Sequence, residues 1–78
     1  MARVMTLEEV KASDFVHLEF QGVIWEDCAV FIGQGEIHLV NEDYTANWWL
    51  TESAYEDSWR CWTAMPTPEQ REEEPWKI

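Results

Sequence analysis

The chain has 78 residues, enough for one small domain, and 46% of them are hydrophobic. Its 16 Asp and Glu against 5 Lys and Arg give a net charge of −11, which argues against direct binding to nucleic acid or to an anionic membrane surface, since both need basic side chains. No run approaches the roughly 20 apolar residues of a membrane span, and no apolar signal core follows Met1-Ala2-Arg3-Val4-Met5, so a cytoplasmic location in a host cell is the expectation.

A domain this small buries only about 60% of its unfolded surface, so its large side chains matter most. There are 6 tryptophans. Four of them lie in two short runs, Asn47-Trp48-Trp49-Leu50 and Ser58-Trp59-Arg60-Cys61-Trp62-Thr63, and Trp76 follows soon after.

In chain order, Thr6-Leu7-Glu8-Glu9 opens a short helix. Thr6 caps, Glu9 completes a capping box, and the helix ends near Ser13-Asp14. Residues 14–20 alternate, which predicts a half-buried strand with Val16, Leu18 and Phe20 inward and Phe15, His17 and Glu19 outward. Gln21-Gly22 is a turn. The apolar run Val23–Ile32 is interrupted by Glu26-Asp27, so it is either two short strands or one strand with a bulge. Gly33-Gln34-Gly35 connects it to a strand at Glu36–Val40. Asn47–Leu50 reads as a short strand or a turn of helix, and Thr51–Asp57 as an acidic loop. Residues 58–63 alternate again, with Trp59 and Cys61 opposite Arg60 and Trp62, and Pro66 ends that strand. Thr67-Pro68-Glu69-Gln70 starts a second capped helix, which stops at Pro75. Only Trp76 and Ile78 offer it an apolar anchor, so it is expected to be mostly solvated. The sum is a single α+β domain: a short N-terminal helix, a small antiparallel sheet of three to five strands, and a short C-terminal helix.

Adjacent residues of a strand point to opposite faces. One of Trp48 and Trp49, and one of Trp59 and Trp62, is therefore expected in the core. The other of each pair belongs to a second small core or to a binding surface. His17, Cys28, His38 and Cys61 lack the close pairing of zinc ligands, and both cysteines sit in apolar strand runs as reduced thiols. No phosphate loop, nucleophile elbow or dinucleotide fingerprint is present, so no cofactor and no enzyme activity are expected.

The informative pattern is where the acids fall. Glu42-Asp43 and Glu56-Asp57, with Glu52, bracket Trp48-Trp49. Carboxylates around an exposed aromatic suit a basic, partly apolar groove on another protein, because aromatic residues anchor such interfaces and charge speeds the encounter. The candidate partner-binding residues are Glu42, Asp43, Trp48, Trp49, Glu52, Glu56 and Asp57. Carboxylates spaced like phosphates can also imitate nucleic acid.

The segment Ser58-Trp59-Arg60-Cys61-Trp62-Thr63-Ala64-Met65-Pro66-Thr67-Pro68-Glu69-Gln70-Arg71 resembles the C-terminal part of small phage and prophage proteins with a W-R-C-W-[ST]-x-x-P-T-x-E-Q-R pattern. Where that pattern continues with basic residues, this chain has Glu72-Glu73-Glu74. In size and acidity the chain resembles the anti-CRISPR and anti-restriction inhibitors. That resemblance implies a phage-type inhibitor occupying a basic nucleic-acid site on a host defence nuclease. The alternative is a small structural or accessory phage protein whose homodimer interface covers the surplus tryptophans.

Overall fold

The computed structural model describes residues 2–76. Helix α1 (Leu7–Ala12) is followed by strands β1 (Phe15–Phe20), β2 (Val23–Ile32), β3 (Glu36–Val40), β4 (Asn47–Thr51) and β5 (Trp59–Trp62), then by helix α2 (Pro68–Glu73). The strands form one antiparallel sheet in the order β4-β3-β2-β1-β5. This is the expected α+β architecture, with the sheet at the upper end of the expected strand number. No helix among the described residues is long and apolar enough to cross a membrane.

Both capping boxes form. The Thr6 hydroxyl accepts from the Glu9 amide and the Glu9 carboxylate accepts from the Thr6 amide. Thr67 and Gln70 do the same for α2, with Pro68 in its first turn. Gln21 and Gly22 both take positive φ, 51° and 79°, the combination that matches a two-residue hairpin turn to strand twist.

The Glu26-Asp27 interruption proves to be a bulge within one ten-residue strand. Val16 pairs with Cys28 and Leu18 with Trp25, so Glu26 and Asp27 together oppose His17. Asp27 sits at φ 47°, and its amide donates to His17 Nδ1 at 3.4 Å. The extra residue shifts side-chain parity, and this brings Trp25 and Cys28, three apart in sequence, to the same face.

That face, covered by α1, carries the core: Met5, Val10, Val16, Leu18, Cys28, Ile37, Leu39, Leu50, Trp59 and Cys61. Trp59 is fully buried, and its indole N–H donates to the Thr51 carbonyl at 2.9 Å. Tyr55 crosses the same region. Its hydroxyl donates to the Met5 carbonyl at 2.6 Å and accepts from the Cys61 amide at 3.2 Å. Cys28 and Cys61 are free, buried thiols. Burial pushes Cys28 up to about 11 and Cys61 higher still, so both stay protonated at neutral pH.

The opposite face departs from the sequence expectation at β1 and β5. Glu19, expected outward, is only 4% exposed. Its Oε1 accepts from Arg60 Nε at 2.7 Å and from the Trp62 indole at 2.8 Å, and its Oε2 accepts from Arg71 Nε at 3.1 Å. Arg60 is 1% exposed. It also donates to the Glu74 and Arg71 carbonyls at 2.7 and 3.2 Å, thereby capping the carbonyl end of α2, and it stacks 4.0 Å from the Trp76 ring centroid. This is a second, polar core beneath α2. No residue of α2 is fully buried, which agrees with the solvated reading, and the helix is held by the Arg71–Glu19 ion pair, by the Arg60 bonds to its last carbonyls and by Trp76, one of the two expected anchors, stacked on Arg60. Ile78, the other expected anchor, lies outside the described residues.

Candidate functional site

Because α2 covers only the β1–β5 end of this outer face, the face lies open across β2, β3 and β4. The register lines up two rows there. Phe31, His38 and Trp49 are cross-strand neighbours, as are Phe15, Ala29, Val40 and Asn47. Phe15, Phe31 and Trp49 are 63%, 53% and 61% exposed. His38 and Trp49 stack with centroids 4.0 Å apart and planes 7° apart, and Phe31 lies 6.0 Å from His38. His38 Nε2 is also 3.2 Å from Asn47 Oδ1. This row is therefore a preformed aromatic surface with its central ring held on two sides.

The acidic rim comes from two turns. The loop between β3 and β4 is organised by Asn41, 8% exposed. Its amide nitrogen donates to Asp43 Oδ1 at 2.9 Å and to Thr45 Oγ1 at 3.0 Å, and its oxygen accepts from the Ala46 amide at 2.8 Å. The Thr45 hydroxyl bonded to Asp43 holds that carboxyl below its usual range. The loop thereby presents Tyr44, at φ 59°, outward beside Phe15, over a shallow cleft of about 300 Å³. Glu42 meets the β2 bulge: one carboxylate oxygen each of Glu26, Asp27 and Glu42 lie within 4.8 Å of one another. Three exposed like charges this close make a strongly negative patch at the edge of the aromatic face.

The sequence candidates therefore divide. Trp49 and Trp48 take opposite faces, as parity required. Trp49 joins the open face, whereas Trp48 packs against the core and against Trp25, with ring centroids 4.9 Å apart. Glu42 and Asp43 lie at one end of β4. Glu52, Glu56 and Asp57 lie beyond its other end, about 15 Å away at roughly 3.3 Å per residue. Glu52 is half-buried and paired with Lys11 at 3.2 Å. Phe15, Phe31, His38, Tyr44, Glu26 and Asp27 belong to the face but were not among the sequence candidates. Their proximity comes from strand register, and only the interruption at Glu26-Asp27 signalled any part of it. His17 and His38 face outward while Cys28 and Cys61 face the core, so the four do not converge as metal ligands.

The segment from Ser58 to Arg71 serves the fold. Trp59 and Cys61 fill the core, Arg60, Trp62 and Arg71 build the polar core around Glu19, and Thr67 with Gln70 caps α2. The open face lies elsewhere in the chain. No protein-family model, curated protein or solved structure matches the chain.

Proposed function

We propose that the chain is a protein-binding inhibitor of the phage type, which docks through the open face of β2, β3 and β4 onto a basic nucleic-acid-binding surface of a host defence nuclease, such as a CRISPR effector. Bound there, it excludes DNA or RNA by bulk and charge, with no chemistry of its own. The observation that carries the reading is the Phe31–His38–Trp49 row, with Phe31 and Trp49 exposed, on the same face as Phe15, where Asp27 and Glu42 line a cleft, in a chain of net charge −11. Aromatic anchors with a polar rim are what a protein interface needs. The carboxylates form separate patches at the two ends of β4 instead of a continuous track, so anchoring by aromatics with steering by charge fits better than imitation of a phosphate backbone.

Proteins retained from host lysate on the immobilised chain would be identified and their affinity measured between about 50 and about 500 mM salt. A nuclease whose affinity falls steeply with salt and is lost with Trp49→Ala is the expected result. Affinity that is flat with salt contradicts the reading. The edge of β4, which no described strand pairs, lies beside this apolar face and favours one alternative, an accessory phage protein that pairs with a second copy of itself. A stable dimer in sedimentation, with Trp49 shielded from quencher, would support that alternative.

A further inference from the structure

The sheet has two edges, and the described residues cover only one of them. At β5 the N-terminal segment closes the edge: the Met5 amide donates to the Cys61 carbonyl and the Thr63 amide to the Arg3 carbonyl. At β4 no described element takes that place. The direction of the β4 backbone groups follows from its flanks. The Ala46 carbonyl accepts from the Asn41 amide at 3.0 Å, and the Glu52 amide donates to the Gly35 carbonyl at 3.0 Å. Even-numbered groups therefore face β3, and those of Asn47, Trp49 and Thr51 face away from the sheet. The Thr51 carbonyl is used by the Trp59 indole. The N–H and C=O of Asn47 and of Trp49, and the N–H of Thr51, remain directed outward.

Natural sheets guard such an edge with lysine, proline, a bulge or a covering loop. The sequence of β4, Asn-Trp-Trp-Leu-Thr, contains no charge and no proline, and its pairing to β3 runs without a bulge. We infer that this edge takes an extended, basic peptide segment of the partner as a sixth strand. The inference rests on the docking reading above and specifies how the partner is held. Charge selects the occupant. The chain carries −11, exposed Glu42 and Asp43 lie in the turn that leads into Asn47, and exposed Glu36 on β3 is the cross-strand partner of Thr51. A segment carrying Lys or Arg is favoured by the charge of the whole chain, and a central side chain lies beside the Trp49 ring on the open face. A second copy running antiparallel would set Glu42 of one chain toward Glu36 of the other, between two chains of charge −11. Backbone pairing supplies the attachment, and the alternating side chains supply selectivity.

The test uses the full chain, assembled by chemical ligation at Cys28 or Cys61, with and without a methyl group on the Trp49 amide nitrogen. That methyl removes one outward donor and obstructs the edge, while leaving every side chain and the pairing to β3 in place. The probe is the synthetic peptide acetyl-Lys-Val-Arg-Val-Lys-Val-Lys-amide, with its all-Glu counterpart as control. The expected result is binding of the basic peptide by the unmodified chain, with the Trp49 amide protected from hydrogen exchange. N-methylation should weaken that binding by about tenfold or more, with unchanged circular dichroism. Equal binding by both chains, or no binding of the basic peptide by either, overturns the sixth-strand proposal. The docking reading is then judged separately, by whether the captured nuclease still loses affinity with Trp49→Ala. An unmodified chain that is dimeric, and monomeric once methylated, also overturns the proposal, because the occupant is then a second copy.

Discussion

Replacing Glu19 with Gln tests the polar core with the smallest change of shape. Among the described residues, Glu19 is the only carboxylate paired with the guanidinium groups of Arg60 and Arg71, and it also accepts from the Trp62 indole. Glutamine keeps the volume but removes the charge and one acceptor oxygen. Its amide N–H₂ would then face a donor, either Arg60 with Trp62 or Arg71. Arg60 cannot escape to water at 1% exposure, and the carbonyls at the end of α2 offset only part of its charge. Breaking a buried pair from one side costs about 3–5 kcal/mol. A domain of 78 residues has a total stability of about 4–12 kcal/mol, so the variant sits near the unfolding threshold. Urea titration followed by tryptophan fluorescence reads this directly. Arg71→Ala is the internal comparison: Arg71 is partly exposed and gives up one bond each to Glu19 and the Gly22 carbonyl, for about 1–2 kcal/mol. If Glu19→Gln loses less than about 1 kcal/mol, the polar core is not what holds α2 to the sheet.

Folding lowers three carboxyls, Asp43 and two glutamates, and the two glutamates give the pH dependence below 4.5. Burial raises the Glu19 carboxyl, but the bonds from Arg60, Trp62 and Arg71 outweigh it and leave it below its ordinary value; the bond from Arg3 brings Glu9 down to about 2. Groups lowered on folding stabilise the protein above their unfolded value of 4.5 and lose that contribution as pH falls, so the thermal midpoint should drop from pH 4.5 toward 2, and less steeply in Glu9→Gln. Tyr55→Phe removes a donor to Met5 and an acceptor for the Cys61 amide, and should cost about 1–3 kcal/mol in urea titration. Trp48→Ala should cost about 3–5 kcal/mol through the lost core packing. Trp49→Ala should leave stability within about 1 kcal/mol in the same assay and abolish partner binding instead. Glu42→Gln relieves repulsion with Glu26 and Asp27, so its thermal midpoint should stay level or rise while its affinity for a basic partner falls; a fall in both would mean that Glu42 serves the fold.

Local chemistry was legible in the sequence, and long-range chemistry was not. Both capping boxes, the Gln21-Gly22 turn and the bounds of β3 rest on neighbours within a few residues, where spacing alone carries the physics. Alternation correctly separated Trp59 and Cys61 from Arg60 and Trp62, and Trp48 from Trp49. It carries no information on whether the second face of a strand meets water. Glu19 was therefore read as outward, and the polar attachment of the mostly solvated α2 was not read at all, because it is a set of charge-assisted bonds across more than forty residues of chain. The open aromatic face was hidden for a related reason. Phe15, Phe31 and Trp49 come together through strand register, and the register of β1 against β2 depends on a single residue, Asp27, in a left-handed conformation. The acidic pairs around Trp48-Trp49 look like one cluster in sequence, yet β4 holds them apart.

The most direct measurement of the central claim is the affinity of the chain for a guide-loaded CRISPR effector nuclease, taken as a function of salt for wild type, Trp49→Ala and Glu42→Gln. The account predicts steep weakening with salt for wild type, a shallower slope for Glu42→Gln, loss of binding for Trp49→Ala, and displacement of the bound chain by DNA. Affinity that ignores salt, or that survives removal of the Trp49 ring, would contradict it.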